Sequence, residues 1–143
     1  MLVSQILKYK GNLVFTASPN ETIAAAAALL HSRRVGSMVV VDEDDRVVGI
    51  LSERDVVRAV AEMGGAALSR SVVDWMNRDV AFATPTETVH ALLERMTDRR
   101  TRHLPVIKDG RLAGIVSIGD LVKSKIAETE AEAEGLKSYI SAA

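Results

Sequence analysis

The sequence lacks cysteine, and this absence excludes several kinds of chemistry at once. Without a thiol the chain has no disulfide, no thiolate nucleophile and no cysteine ligand for zinc or iron–sulfur clusters. The formal net charge of −1 provides no overall field to attract DNA, RNA or acidic lipid. No apolar run approaches the roughly 18 to 20 residues of a membrane-spanning helix, and the first residues lack a signal-peptide pattern. We therefore expect a cytoplasmic protein with no nucleic-acid partner and no membrane partner.

The chain contains an internal repeat. A shift of 66 residues aligns positions 14–41 with 80–107 without a gap, and nine of the 28 aligned pairs are identical. After a one-residue adjustment in the turn DEDDR against KDGR, the match continues and pairs Asp55 with Asp120. With 143 residues, 48% of them apolar, the protein is long enough for a folded core built from two half-size repeats. We conclude that it is a tandem duplication.

Each repeat predicts the element order strand, helix, strand, strand, helix, and therefore an α+β fold. The segments SPNE and TPTE, which begin at Ser18 and Thr84, each offer a hydroxyl N-cap, proline at N1 and glutamate at N3. This pattern predicts that the first helix of each repeat starts there. Apolar runs on either side of the polar turns predict a hairpin in each repeat. Ser52 and Ser117, each with an aspartate three residues later, predict the start of the second helix.

The duplication divides the chain into three parts. We assign residues 1–69 to the first repeat and 70–126 to the second, with 127–143 as a charged, partly exposed helical tail. The linker segment Val72–Met76 matches Val3–Leu7, so it opens the second repeat.

Two features of these opening segments stand out. Between the matched segment and the next strand, the first repeat has three more residues than the second, in a stretch that carries Lys8 and Lys10. In the linker, we expect Trp75 and Met76 to pack in the core rather than stack on a base, because large apolar side chains are normally buried.

A Ser-x-x-Asp motif follows an apolar strand in both repeats, as GILSERD at 49–55 and GIVSIGD at 114–120. The first N–H groups of a helix are unpaired and the dipole is positive there, so this position attracts anions. An aspartate one turn into the helix can accept hydrogen bonds from both hydroxyls of a ribose. The same pattern is also an ordinary capping box that needs no ligand.

With these motifs, the sequence resembles the cystathionine β-synthase (CBS) domain pair over nearly its whole length. The resemblance rests on SPNETI and TPTETV, on GSMVVVD and RHLPVIKDG, and on the two Ser-x-x-Asp elements. It implies two repeats related by pseudo-two-fold symmetry, with two clefts between them. It also implies binding of adenine nucleotides such as AMP, ATP or NAD(H), or of S-adenosylmethionine. In this family the aspartate takes the ribose hydroxyls, the serine or threonine assists at ribose or phosphate, and strand backbone holds the base.

The resemblance assigns a residue set to each cleft. The first set is Thr16, Ala17, Ser37, Met38, Val39, Ser52, Arg54 and Asp55. The second set is Phe82, Ala83, Arg102, His103, Leu104, Pro105, Ser117 and Asp120. The two clefts differ, because the second repeat has Arg102 and His103 where the first has Gly36 and Ser37. We therefore expect different ligands or affinities, with Arg102 and His103 favouring phosphate.

Other polar residues carry weaker signals. Arg99 and Arg100 fit two interpretations equally, as phosphate ligands or as cations at a helix C-terminus. His31 and His90 have no second ligand at metal spacing, so we assign no metal. No nucleophile is paired with a base, so we predict no catalytic residue, no catalytic cofactor and no enzyme.

The leading hypothesis is a stand-alone regulatory module that binds AMP, alternatively NAD(H) or ATP, and reports energy or redox state to an unknown effector protein. The alternative is a scaffold with empty clefts that serves only for dimerisation and partner docking. An enzyme is a third possibility, tested by whether bound nucleotide is recovered unchanged. We expect a homodimer formed through apolar helix faces. Those faces are Ala24–Leu30, Leu92–Met96, Val56, Val57, Val60, Leu121 and Val122.

Overall fold

The computed structural model of the chain describes residues 1–11 and 14–142. Asn12 and Leu13, in the longer opening stretch of the first repeat, and Ala143, at the end of the tail, lie outside the described residues. The helices are α1 Val3–Lys10, α2 Ile23–Arg33, α3 Glu53–Met63, α4 Val89–Arg99 and α5 Ile118–Ala142. The strands are β1 Thr16–Ala17, β2 Ser37–Val41, β3 Val47–Ser52, β4 His103–Lys108 and β5 Arg111–Ser117. Short 3₁₀ helices span Gly64–Ser69 and Val72–Asp74.

The described fold forms two compact units. The first-repeat unit contains Leu13–Ala81 and Asp109–Leu112, and the second-repeat unit contains Met1–Asn12, Phe82–Lys108 and Ala113–Ala143. The segment that opens each repeat in sequence thus belongs to the unit of the other repeat. The boundary predicted between residues 69 and 70 separates the two repeats in sequence. The compact units do not follow this boundary, because each contains segments from both sides of it.

The first-repeat unit is built on a three-stranded sheet in the order β1-β2-β3. β1 pairs parallel with β2, and β2 pairs antiparallel with β3 so that Ser37 lies opposite Ser52. The β2 run SMVVV suits a fully buried strand, since four of its five residues are buried. The core of this unit consists of Ala17, Ile23, Ala26, Leu30, Met38, Val40, Leu51, Val72 and Met76. The predicted elements of this repeat are all present.

The second-repeat unit has a two-stranded sheet, β4-β5, and one predicted element is reduced. The first strand expected in this repeat is present only as a single parallel bridge between Ala83 and Val106. The β4-β5 hairpin closes through Asp109 and Gly110, both with positive φ (53° and 76°). This conformation belongs to a type I′ turn, for which Asp-Gly is a favoured sequence.

The predicted start of the first helix in each repeat was wrong by four residues. α2 begins at Ile23 with Thr22 as N-cap, and the Thr22 hydroxyl accepts a hydrogen bond from the Ala25 N–H. α4 begins in the same way after Thr88. The SPNE segment instead forms a turn, in which the Ser18 N–H donates to the Glu21 carboxylate at 3.2 Å.

The physical reason is backbone pairing with the exchanged opening segment. Thr22 forms an antiparallel bridge with Ser71, and the Val72 N–H donates to the Glu21 carbonyl at 2.8 Å. In the other unit, Leu2 forms the equivalent bridge with Thr88. These pairings hold Thr22 and Thr88 themselves in an extended conformation, with ψ of 154° at both, so neither helix can begin earlier.

Two glycines accommodate the opening segments. A Cβ at Gly49 would lie 2.7 Å from the Met76 sulfur and 2.9 Å from the Asn77 carbonyl oxygen. A Cβ at Gly114 would lie 2.7 Å from a Leu7 methyl carbon. Leu7 and Met76 are equivalent positions of the duplication. The glycine before Ile50 and the glycine before Ile115 therefore each leave room for the equivalent side chain of the opening segment that packs on it.

The predicted tail is helical through Ala142, and it continues α5 without a break from Ile118. One prediction about the helix faces needs correction. Several apolar residues expected on exposed faces are buried within their own units: Leu30, Leu92, Met96 and Leu121. Of the residues predicted for these faces, Val57 (66%) and Val60 (42%) on α3 and Val122 (44%) on α5 are exposed.

Candidate functional site

The first Ser-x-x-Asp motif joins β3 to α3 in a complete capping box. The Ser52 hydroxyl oxygen accepts from the Asp55 N–H at 3.2 Å, and Asp55 Oδ2 accepts from the Ser52 N–H at 2.8 Å. The Ser52 hydroxyl also lies 3.0 Å from Asp55 Oδ2. Both residues are half-buried. The motif thus forms the predicted helix start and leaves its carboxylate partly accessible.

A cation on the same helix contacts the other oxygen of this carboxylate. Arg58 Nη2 lies 3.3 Å from Asp55 Oδ1 and donates to the Trp75 carbonyl oxygen at 3.1 Å. The Arg58 guanidinium also stacks over the Trp75 ring at 5.2 Å from its centroid. Trp75 in turn packs against the core of the first-repeat unit. The prediction that Trp75 packs in the core is confirmed, and the role of Arg58 was missed because its partner lies 17 residues away.

A buried hydroxyl without a partner lies beside this motif. Ser37 is 8% exposed, and its Oγ has no hydrogen-bond partner among the described residues. Buried side-chain hydroxyls are usually paired, so an orphan of this kind requires an explanation. Ser37 lies opposite Ser52 in the β2-β3 register. The structure therefore brings two of the predicted site serines together at the end of one hairpin.

The remaining residues of the first set fall into two groups. Ala17, Met38 and Val39 are buried, so they offer a ligand backbone rather than side chains. Thr16 and Arg54 are exposed. Thr16 also lines a cavity of about 500 Å³ whose charged lining residues are Arg46, Arg111, Asp44, Asp45 and Asp109. This volume is in the range of small-molecule sites.

The second Ser-x-x-Asp motif has the same backbone geometry at the start of α5. The Asp120 N–H donates to the Ser117 hydroxyl at 3.2 Å, and Asp120 Oδ2 accepts from the Ser117 N–H at 2.8 Å. The cation here is Lys10, whose Nζ lies 2.5 Å from Asp120 Oδ2. Burial acts to raise the pKa of Asp120, but the hydrogen bonds from Lys10 and the Ser117 N–H hold this pKa below its ordinary value.

Lys10 is the principal site residue that sequence reasoning did not assign. It lies in the last turn of α1, and Val3, Ile6 and Leu7 of α1 are buried. The extra residues near Lys8 and Lys10 were a signal in the sequence. Assigning Lys10 to Asp120 also required knowing that α1 belongs to the unit of the second repeat.

The other residues of the second set lie around β4 and the segment before α4. Ala83, Leu104 and Pro105 are buried, His103 is half-buried, and Arg102 and Phe82 are exposed. The Arg102 carbonyl accepts from the Ile118 N–H at 2.8 Å, which ties β4 to the start of α5.

An ion pair that the sequence analysis missed supports Phe82. Arg95 Nη1 donates to the Phe82 carbonyl at 2.8 Å and to Glu87 Oε1 at 2.9 Å. Arg95 Nη2 bonds the second Glu87 oxygen. The hydrogen bond from Arg95 lowers the pKa of Glu87, and the bond to Glu87 raises the pKa of Arg95. The pair therefore remains ionised and positions the backbone beside Ala83.

The arginine pairs at the ends of α2 and α4 have a structural role. Arg34 and Arg100 cap these helices in the left-handed conformation, with φ of 54° and 52°. Arg99 lies in the last turn of α4, where a cation complements the helix dipole. The positions of Arg99 and Arg100 at the end of α4 are therefore explained by the helix terminus, without a phosphate ligand.

The described residues contain neither a metal-binding cluster nor a membrane-spanning helix. Within residues 1–11 and 14–142, no group of three or more histidine, aspartate or glutamate side chains is placed to hold a metal ion. Over the same ranges, no helix is long and apolar enough to cross a membrane.

Comparison with known proteins identifies the family. The CBS domain family matches residues 12–62 and 72–126, which correspond to the two repeats. The chain therefore belongs to the CBS domain family, and its fold is a tandem CBS pair. It is similar to the CBS-domain containing protein ATU1752 from Agrobacterium tumefaciens, with a TM-score of 0.84 and 45% identity over 87% of this chain and 99% of that one.

Two further similar structures contain ligands. The CBS domain protein PAE2072 from Pyrobaculum aerophilum, complexed with AMP, has a TM-score of 0.75 and 31% identity, over 84% of this chain and 89% of that one. The CBS domain pair of MJ0100, complexed with 5′-methylthioadenosine and S-adenosyl-L-methionine, has a TM-score of 0.79 and 27% identity, over 90% of this chain and 98% of that one.

Proposed function

We propose that the protein is a regulatory module that binds an adenine nucleotide at each Ser-x-x-Asp motif, with AMP as first candidate and NAD(H) or ATP as alternatives. It reports the energy or redox state of the cell to an effector protein as a cytoplasmic homodimer. The observation that carries this proposal is the buried Ser37 hydroxyl, which has no partner among the described residues and lies opposite Ser52. A polar ligand at this hairpin end would provide the missing hydrogen bond.

The chemistry of the motif suits a ribose with a phosphate nearby. Asp55 and Asp120 are half-buried carboxylates at helix N-termini. A carboxylate accepts hydrogen bonds from both hydroxyls of a vicinal diol, while the helix N-terminus attracts the negative phosphate. Arg58 and Lys10 each bring a cation to one of these carboxylates.

The ligands of the two similar proteins support this choice of ligand class. AMP, 5′-methylthioadenosine and S-adenosylmethionine share an adenosine group and differ at the 5′ position. The shared part contains the ribose diol that the aspartates suit. The two motifs differ in their cations, since Arg58 and Lys10 come from different segments, so they would meet different 5′ groups differently.

Calorimetric titration of the full chain with adenosine, AMP, ATP and NADH tests the proposal. We expect binding of at least one nucleotide and loss of binding in the Asp55→Asn, Asp120→Asn double variant. The matched control is Asp98→Asn, at an exposed residue of α4 outside both motifs. Thermal melting provides a second measurement, because a ligand at 100 times its dissociation constant adds about 2.7 kcal/mol to stability.

The scaffold alternative gives the opposite results. A protein with empty sites shows no heat of binding and no change in melting temperature with any of these ligands, yet still associates with itself. One observation favours this alternative, because the aspartate of each motif already accepts a hydrogen bond from the serine N–H of the same motif. We propose no catalytic role, and mass spectrometry of nucleotide released after incubation should show it chemically unchanged.

A further inference from the structure

We propose that the exposed face of α5 pairs with α5 of a second copy of this chain as a parallel two-stranded coiled coil. This inference specifies one contact surface of the homodimer proposed above and does not depend on nucleotide binding. It rests on the spacing of exposed apolar residues along α5 and on the charges that flank them.

Helix α5 has two opposite faces. Leu121 and Ser124 are buried, and Glu128 forms an ion pair with the N-terminal ammonium group at 3.4 Å. These three residues fix the first half of α5 within the second-repeat unit. Because this half is already helical, extension of the helix to Ala142 does not require a new nucleation step.

The opposite face is exposed and regularly spaced, and five of its six residues are apolar. Its residues follow one another at intervals of four, three, four, three and four, as Val122, Ile126, Thr129, Ala133, Leu136 and Ile140. Ile126, Leu136 and Ile140 are exposed by 54%, 61% and 65%. This is the alternating spacing of the a and d positions of a heptad, with Ile126, Ala133 and Ile140 at a. We name these six residues the α5 seam.

Exposure of the apolar side chains of the α5 seam to water is unfavourable in free energy. An apolar stripe on a helix normally packs against a partner, whereas the last two positions of the α5 seam, Leu136 and Ile140, are 61% and 65% exposed. The strict 3.5-residue average also matches the period that a second helix of the same kind requires. The periodicity therefore indicates a helical partner rather than a flat surface.

The flanking charges select a second copy in parallel orientation. In a parallel pair each g position faces the e position five residues later in the other helix. Lys125 then faces Glu130 of the second copy, and Glu132 faces Lys137 of the second copy, so both contacts are attractive and each occurs twice. Antiparallel pairing over the same length places Lys123 opposite Lys137 and Glu130 opposite itself, which is repulsive.

Charge reversal with rescue tests the pairing. We expect Lys125→Glu and Glu130→Lys each to raise the dimer dissociation constant by about 3- to 10-fold in sedimentation equilibrium. The double variant Lys125→Glu, Glu130→Lys restores the attraction and should return to within about twofold of the original protein. Ala131→Lys, on the outer side of α5, is the control for a change of charge and should leave the constant unchanged. Two losses without rescue overturn the proposal.

Cross-linking tests the orientation and uses the absence of cysteine in the chain. Leu136→Cys introduces a single thiol at a d position, which in a parallel pair faces its own copy. We expect rapid formation of a disulfide-linked dimer under mild oxidation, and no comparable product from Ala131→Cys on the outer side. Cross-linking of Leu136→Cys only to Ile126→Cys in a mixture shows antiparallel pairing and overturns the proposal.

A further result distinguishes the α5 contact from dimerisation through another surface. A dimer that persists unchanged in Leu136→Glu and in both charge-reversal variants is held by another surface, and the α5 proposal then fails while the homodimer stands. Circular dichroism of each variant checks that the fold is retained. If light scattering shows a monomeric mass for the original protein at micromolar concentration, both the homodimer and the α5 contact are overturned.

Discussion

The two Ser-x-x-Asp motifs have the same backbone hydrogen bonds but different cationic partners. Asp55 is paired with Arg58, one turn later on the same helix. Asp120 is paired with Lys10, which is 110 residues earlier in the chain and lies on α1. Ser52 and Ser117 accept hydrogen bonds of the same length, 3.2 Å, from the aspartate N–H groups.

The different cationic partners show that the two copies of the motif share the capping box but not the cation beside it. The capping box is required by the strand-to-helix junction itself, so both copies keep it. The cation contributes charge rather than backbone geometry, and each unit supplies it from a different segment. The first site has a partner held by Trp75, whereas the second depends on how α1 is packed.

The largest expected effect separates the two aspartates. Asp120→Asn should lower AMP affinity by about 10- to 150-fold, because it removes charge-assisted hydrogen bonds worth roughly 1.5 to 3 kcal/mol. We expect Asp55→Asn to have the smaller effect on AMP, since Lys10, Arg102 and His103 all belong to the second-repeat unit. Calorimetry of the two single variants measures the difference. Equal losses, or a larger loss in Asp55→Asn, would contradict the asymmetry.

The two close-packed glycines should differ in stability cost. Gly49→Ala places a methyl group against the Asn77 backbone oxygen and the Met76 side chain, so we expect a loss of about 1 to 3 kcal/mol. Gly114→Ala meets only the end of the Leu7 side chain, which can move, so its loss should be smaller. Urea unfolding of both variants gives the comparison. Leu7→Ala combined with Gly114→Ala provides the control for the contact.

The position of the first helix start has a direct test. Thr22→Ala and Thr88→Ala remove the observed N-caps, and each should cost about 1 kcal/mol of unfolding free energy. Ser18→Ala alters only the preceding turn and should cost less. Chemical denaturation of the three variants checks this order. A larger loss at Ser18 than at Thr22 would favour the helix start expected from the sequence.

The smallest effect concerns the Lys10 contact and pH. The pKa of Asp120 is lowered in the folded state, so its stabilising contribution is complete above the ordinary value of about 3.9 and is lost as pH falls through the lower folded pKa. Lys10→Met should therefore reduce stability at neutral pH by about 0.2 to 1 kcal/mol, since the pair is partly exposed. This difference should vanish in strong acid. Arg58→Met provides the matched measurement for Asp55.

Lys10→Met also sharpens the comparison in binding. The ammonium group reaches an oxygen of Asp120, so it can also reach a phosphate on a ribose held by that carboxylate. We expect AMP affinity to fall by about 3- to 10-fold, and adenosine affinity to remain unchanged or to rise. Equal changes for both ligands would show that Lys10 does not distinguish them by their phosphate. Lys8→Met, in the same last turn of α1, is the control.

The duplication, the hairpins and the Ser-x-x-Asp helix starts could be predicted because they depend on residues close together in sequence. The starts of α2 and α4 could not, because Thr22 and Thr88 are held extended by segments about 50 to 90 residues away. Lys10 was missed for a related reason, since its partner is fixed by the packing of α1. The family resemblance predicted Ser37 as a site residue, but the burial of its hydroxyl follows only from the fold.

The exchange of opening segments also affects how the chain folds. Residues 1–11 are synthesised before the rest of this sequence, yet their contacts with Glu87, Gly114 and Asp120 become available only after about residue 120 has been synthesised. The first-repeat unit has nearly all its residues within 13–81 and can form earlier. The second-repeat unit therefore depends on contacts of long sequence separation, which slow folding. Deletion of residues 1–11 would consequently disturb the second-repeat unit, although these residues open the first repeat in sequence.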